Sequence, residues 1–274
     1  MGQHQTIMRL VLLFTLFLAA CGAPPTASLT TGALPVPQVD MPAVTRPNFS
    51  DAKPVSFGRG GPDGYPVHGI DVARFQTSID WRAARANGVN FAFIKATEGG
   101  DLVDPMFRDH WRGAGRAGVA RGAYHFFYHC RPAAEQAAFF IRNVPRTRGA
   151  LPPVLDMEWT PFSPTCTIRR PPEVLRAEAK IFLDIVEAHY GQRPIIYSTV
   201  DFYQENQMWR VGPYPFWLRS VAAHPDDIYG GRHWTFWQYT STGLIPGIAG
   251  EVDINVFDGP SAEWGAWLAA NRHP

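Results

Sequence analysis

The sequence predicts an α/β fold, a small closed β/α barrel whose later helices are reduced. Three observations predict it. From Val67 onward, short apolar runs alternate with stretches of helical periodicity. Those runs are nearly continuous in apolar residues, as expected of parallel strands covered on both faces. Eight of them fall between Val67 and Phe257, the number that closes a β/α barrel. An open doubly wound sheet is the alternative, but no Gly-x-Gly-x-x-Gly follows the first run.

In chain order, Val67–Ala73 reads as a strand and Ser78–Asn87 as a helix closed by Gly88. Phe91–Ala96 is a strand, followed by a helix from Pro105 to Ala117. Ala120–Phe127 is the third strand, a helix crosses Ala133–Val144, and Val154–Trp159 is the fourth strand. A long helix spans Pro172–Tyr190, with prolines at its start and Gly191 placed to cap its end. Ile195–Ser198 is the fifth strand. Beyond it the helical pattern weakens, and Phe216–Val221, Thr235–Tyr239 and Val252–Phe257 read as strands before a last helix over Ser261–Asn271.

The residues before the barrel are of a different kind. Leu10–Ala20 is an apolar run too short to span a bilayer and of the length of a signal h-region. Leu18-Ala19-Ala20-Cys21-Gly22 resembles a bacterial lipobox, which implies residues 1–20 as a lipoprotein signal peptide and acylation of Cys21. An ordinary signal peptide is the plainer reading. Gly22 gives no sign of retention in the inner membrane, so an outer-membrane anchor facing the periplasm is expected. Gly22 to Tyr65 carries eight prolines without apolar periodicity and reads as a tether, reaching about 40 Å as a coil. The barrel domain is expected over 66–274. Cys130 and Cys166 are expected to bridge, since two cysteines outside the cytoplasm more often pair than stay free.

The charge balance of 25 basic to 24 acidic residues shows no basic stripe and argues against nucleic-acid binding. The basic residues are nearly all arginine, with lysine only at Lys53, Lys95 and Lys180. A monomer without cofactor or bound metal is expected.

The most informative residues are Asp156 and Glu158, at the end of the fourth strand in Leu-Pro-Pro-Val-Leu-Asp-Met-Glu-Trp. Side chains at i and i+2 of a strand share a face. Two carboxylates on one face raise at least one pKa, which suits acid-assisted cleavage of a polar substrate. Trp159 beside them is a candidate sugar platform. Asp71 ends the first strand and Asp253 lies in the eighth, its neighbour in a closed barrel, so all four acids are expected around one mouth. A lone Asp at a strand end more often caps the next helix. Lys95, Tyr124, Tyr197, Trp217, Arg219, Trp237 and Gln238 lie at or near other strand ends and are candidate substrate contacts.

Seven motifs occur in order: Gly69-Ile70-Asp71-Val72-Ala73, Phe93-Ile94-Lys95-Ala96-Thr97-Glu98-Gly99, Arg121-Gly122-Ala123-Tyr124-His125-Phe126, Leu155-Asp156-Met157-Glu158, Pro194-Ile195-Ile196-Tyr197, Phe236-Trp237-Gln238-Tyr239 and Val252-Asp253-Ile254-Asn255-Val256-Phe257. Together they resemble the glycoside hydrolase family 25 lysozymes, the Chalaropsis-type muramidases, over about Val67 to Gly259. The resemblance implies a TIM-like (β/α)5(β)3 barrel that cleaves the β-1,4 bond between N-acetylmuramic acid and N-acetylglucosamine in peptidoglycan. It implies Glu158 as general acid. Asp156 then either orients the substrate N-acetyl group and stabilises an oxazolinium ion, or Asp253 or Asp71 activates water with inversion. Tyr124, Tyr197 and Trp237 match the family's aromatic subsite positions. The stretch Cys130–Arg131 and the segment Thr160–Arg170 depart from the family pattern.

Two other readings differ in class. His125 and His129, four apart, suggest a metal-dependent polysaccharide deacetylase, although no Asp-Asp pair ends the first strand. An inactive lysozyme fold that only binds peptidoglycan is the other, and it is disfavoured by the intact Glu158 and aspartates.

Overall fold

The computed structural model describes residues 43–57 and 60–274. The signal peptide, the lipobox with Cys21 and the start of the tether lie outside them. No helix among the described residues is long and apolar enough to cross a membrane.

The strands are β1 (Ser50–Asp51), β2 (His68–Val72), β3 (Val89–Glu98), β4 (Leu102–Val103), β5 (Ala120–Phe126), β6 (Val154–Met157), β7 (Ile195–Ser198), β8 (Phe216–Arg219), β9 (Phe236–Leu244) and β10 (Val252–Phe257). All ten belong to one sheet. β1 and β4 lie off its ring, and the other eight close a barrel in the order β2-β3-β5-β6-β7-β8-β9-β10. Neighbours from β2 to β9 are parallel. β10 runs antiparallel to both β9 and β2 and completes the ring.

The helices are α1 (Trp81–Ala86), α2 (Phe107–Arg116), α3 (Ala133–Asn143), α4 (Pro172–Tyr190), α5 (Val200–Glu205), α6 (Pro225–Ile228) and α7 (Ser261–Asn271). The short α5 and α6 after α4 follow the fading helical pattern, and α7 is again a full helix. α1 starts at Asp80, whose carboxylate accepts from the Arg82 and Ala83 amides. α4 stops at Gly191, which takes a left-handed φ of 67°.

Strand alternation divides the apolar residues into two cores. Phe91, Phe93, Val154, Ile195, Trp217 and Phe236 point into the barrel, where Trp264 and Leu268 of α7 plug its base. Ile70, Ile94, Leu155, Ile196, Leu218 and Ile254 point outward beneath the helices. The inner packing is close: a Cβ on Gly69 would lie 2.5 Å from the Phe91 ring, so only glycine fits there.

The tether expectation fails for its second half. Residues from Ala43 are strapped to the barrel. Arg85 donates to the Ala43 carbonyl (2.6 Å), the Thr45 amide to Asn90 Oδ1 (2.8 Å) and the Asn48 amide to the Asn87 carbonyl (2.8 Å). β1 then adds to β9, which runs past the expected Tyr239 to Leu244 to receive it. Phe49, Phe57 and Tyr65 pack on the outer core. The prolines of this segment stiffen a fixed strap rather than a free coil. Removing residues 43–65 should therefore lower the melting temperature of the barrel. Phe49→Ala alone should cost about 1–2 kcal/mol, less than a fully buried phenylalanine because this one stays half exposed. Thermal unfolding of the first and denaturant titration of the second, each against the chain from Ala43, check them.

Candidate active site

The C-terminal ends of the parallel strands surround a cavity of about 270 Å3. Each inward residue arrives there by the two-residue period of its strand. β2 contributes Asp71, β3 Lys95, β5 Tyr124 and β7 Tyr197, while β8 contributes Trp217 and Arg219, β9 Gln238 and β10 Asp253. Asp156 is in β6, and Glu158 lies one residue beyond its end. All of these were expected at the mouth. Phe75, Gln76, Phe126 and Ser241 also line the cavity and were missed. Phe126 had a signal, being two residues from Tyr124 on the same face; Phe75 and Gln76 sit on a loop, where no period operates.

Trp237 does not belong to the site. It precedes Gln238 and so points to the opposite face, where it is fully buried and donates to the Ser220 carbonyl (2.7 Å). Trp159 is no sugar platform either. It packs on Phe202, and the Arg169 guanidinium lies 4.3 Å from its ring centre. The histidines point away from the mouth as well. His125 is bonded to Thr97 (2.7 Å) and Gln136 (3.1 Å) under the helices. His129 Nε2 contacts the Glu158 carbonyl (2.7 Å), which braces the acid's backbone. Cys130 and Cys166 are joined. The bridge ties the segment Thr160–Arg170 to the loop after β5, a 36-residue closure of a size associated with about 3–4 kcal/mol.

Asp71 organises the mouth. Its Oδ2 accepts from Gln238 Nε2 (2.9 Å) and from Asn255 Nδ2 (2.8 Å). The Trp217 indole, which can only donate, meets Asn255 Oδ1 at 2.7 Å. That contact fixes the amide with its NH2 toward Asp71. The Tyr197 hydroxyl likewise donates to Gln238 Oε1 (2.9 Å). Asn255 was not picked as a site residue, although it lies two residues from Asp253 on the same face.

The four acids differ in charge state. Burial raises Asp71 to about 6, against the lowering effect of its two amide donors. Glu158 is raised to about 7, again chiefly by burial, with Arg219 and Lys95 pulling it down. Asp253, paired in register with Asp71, is raised to about 8 by burial and by that neighbour's charge. Asp156 is pushed well above the usual carboxylate range by burial first and then by Glu158. Its Oδ1 is buried without a protein partner. Lys95 offers limited relief, since it pairs with Glu98 at 2.6 Å and lies over the Phe126 ring. Near neutrality the site therefore holds protons as well as negative charge, the combination that acid-assisted bond cleavage needs.

A carboxyl whose folded pKa exceeds its unfolded value keeps a proton that the unfolded chain has lost. Its contribution to stability is full below the unfolded value and is lost as pH rises through the folded one. For Glu158 that window runs from 4.5 to about 7. Glu158→Gln should then gain stability over the parent between pH 5 and pH 8, by about 2 kcal/mol. Urea unfolding at both values checks it; an equal offset at the two would mean that Glu158 titrates normally.

Comparison with known proteins agrees with this geometry. The model of the glycosyl hydrolases family 25 matches residues 70–248. The uncharacterized YegX protein of Escherichia coli K12 is 39% identical over 228 residues, covering 81% of this chain and 80% of that one. Lysozyme M1 of Streptomyces globisporus is 34% identical over 74% of this chain and 71% of its own length. The solved structure of a family 25 glycosyl hydrolase from Bacillus anthracis superposes with a TM-score of 0.68 at 37% identity, covering 74% of this chain and 94% of that one. The chain belongs to glycosyl hydrolase family 25 and is a glycoside hydrolase.

Proposed function

We propose that the protein is a muramidase that hydrolyses the β-1,4 bond between N-acetylmuramic acid and N-acetylglucosamine in peptidoglycan, with Glu158 as the general acid. The observation that carries this reading is a half-buried Glu158, raised to about 7, on a mouth built from acids and aromatic rings. A protonated Glu158 delivers its proton to the leaving glycosidic oxygen. Asp156, which lines the same cavity, is read as the acceptor of the N–H of a substrate acetamido group on a substrate-assisted path. Asp71, held as an acceptor by two amides, supplies the remaining negative charge of the mouth, with Asp253 opposite it. Tyr124, Tyr197 and Trp217 offer apolar faces and hydroxyls to the sugar. The relatives named as lysozymes and muramidases support the same substrate.

The finer architecture reads as (β/α)5(β)3, since only a four-residue helix follows β8 and none separates β9 from β10. The protein acts as a monomer at the cell envelope, anchored through acylated Cys21 after removal of residues 1–20. The lipobox pattern alone supports the anchor.

Digestion of purified peptidoglycan by the chain from Ala43, followed by muropeptide analysis, should yield reducing-end muramic acid. Glu158→Gln should lower the rate by at least about 10³-fold; fragments from the variant at the parental rate would remove Glu158 from its role. Since the acid must carry its proton, kcat/KM should fall about tenfold per unit above pH 7. A profile flat to pH 9 would contradict it.

A further inference from the structure

The near-zero net charge conceals a segregation. In a parallel barrel, every segment running from a helix into a strand lies at the base, opposite the catalytic mouth. Arg116 lies before β5, Arg142, Arg146 and Arg148 before β6, Arg193 before β7, and Arg232 before β9. All six are exposed. Among the described residues Arg116, Arg142, Arg148 and Arg232 have no carboxylate within ion-pair distance, and Arg193 meets Glu187 only at 3.4 Å. Asp63, Asp184, Glu187, Asp226, Asp258 and Glu263 also lie toward this end, so its unpaired positive charge is that of Arg116, Arg142, Arg146 and Arg148.

Two of these arginines also lie over aromatic rings. Arg193 lies 4.3 Å from the centre of Tyr214, and Arg232 lies 4.4 Å from that of Trp209. These four residues line a basal groove of about 640 Å3. Planar guanidinium groups beside half-buried tryptophan suit phosphate esters at an apolar–polar boundary. The strap begins at the same end: Ala43 is held by Arg85 at the end of α1, and Thr45 by Asn90 at the start of β3. Ala43, the first of the described residues, is thus at the base.

We propose that the basal arginine face docks on an anionic phospholipid surface and turns the catalytic mouth away from the membrane, toward the wall. The orientation rests on the anchor at Cys21 proposed above; the lipid contact does not. Phosphate headgroups would accept from the guanidinium groups, each exposed arginine adding to the attraction. An acyl anchor alone leaves the barrel free to tumble, and this face would fix which side is down.

The test uses the chain from position 21 carrying Cys21→Ser, which has neither h-region nor acyl chain. It is sedimented with phosphatidylcholine vesicles and with vesicles containing about 30% phosphatidylglycerol. Binding is expected to the anionic vesicles only, and should disappear near 0.5 M salt, roughly where screening shortens to a few ångströms. Arg142→Glu/Arg146→Glu/Arg148→Glu should weaken partitioning at least about tenfold while leaving glycan hydrolysis unchanged, which also reports that the variant is folded. Arg169→Glu/Arg170→Glu, on the mouth side, should leave vesicle binding intact. No binding, equal binding to both vesicle types, equal loss in the two variants, or capture by purified wall instead of lipid would each overturn the proposal. The mass of Cys21 in the native protein tests the anchor separately: an unmodified cysteine would sink the anchor and leave the vesicle result standing.

Discussion

Two amide groups converging on one carboxylate oxygen, Asp71 Oδ2, hold the mouth together. Gln238 comes from β9 and Asn255 from β10, and each is turned the right way by a donor on another strand, Tyr197 of β7 or Trp217 of β8. Five strands are thus coupled through one acceptor. The arrangement requires Oδ2 to stay unprotonated, because both amides present hydrogens to it. Any proton held by the cluster therefore sits on other oxygens, and Asp253, Glu158 and Asp156 are the acids on which it collects.

Such a network exists only because β10 is antiparallel. A parallel eighth strand would send the residue after its C-terminal end to the mouth. The reversed strand instead places its first half there, bringing Asp253 opposite Asp71 in register and Asn255 just below. The rest of the inner face is filled by aromatic rings, with Phe93 stacked 4.6 Å from Trp217 and Tyr197 4.4 Å from it. Those rings exclude water from beneath the acids. Burial is the largest influence on all four carboxyls, so the apolar floor sets the protonation that the chemistry uses. Stability and function pull in opposite directions here, since buried acids weaken the fold as pH rises.

The two ends of the barrel share the work of polarity. Strand C-termini gather acids and substrate contacts, and the segments entering the strands carry unpaired arginines. α7 separates them by filling the base with Trp264 and Leu268, which also makes the interior a packed core rather than a channel.

Periodicity and order were enough for much of this protein. The alternating runs gave the eight barrel strands and the longer helices, most ends within a few residues, but not β1, β4, α5 or α6, because strands buried on both faces and long amphipathic helices leave different marks in a sequence and very short elements leave none. The i, i+2 spacing placed Asp156 with Glu158, and strand ends placed Asp71 and Asp253 at the same mouth. The same rule, applied more strictly, excludes Trp237, since it and Gln238 are adjacent in one strand and cannot face the same way. What the tertiary structure alone decided is where irregular chain goes and how groups pair across strands. The strap from Ala43 lacks periodicity because it is held by side-chain bonds and a two-residue strand, so its proline content read as a tether. Phe75 and Gln76 reach the cleft from a loop, and the orientation of the amides around Asp71 depends on contacts tens to hundreds of residues apart in the chain. Local sequence carries backbone preference and facing; it carries no record of which distant partner completes a hydrogen bond.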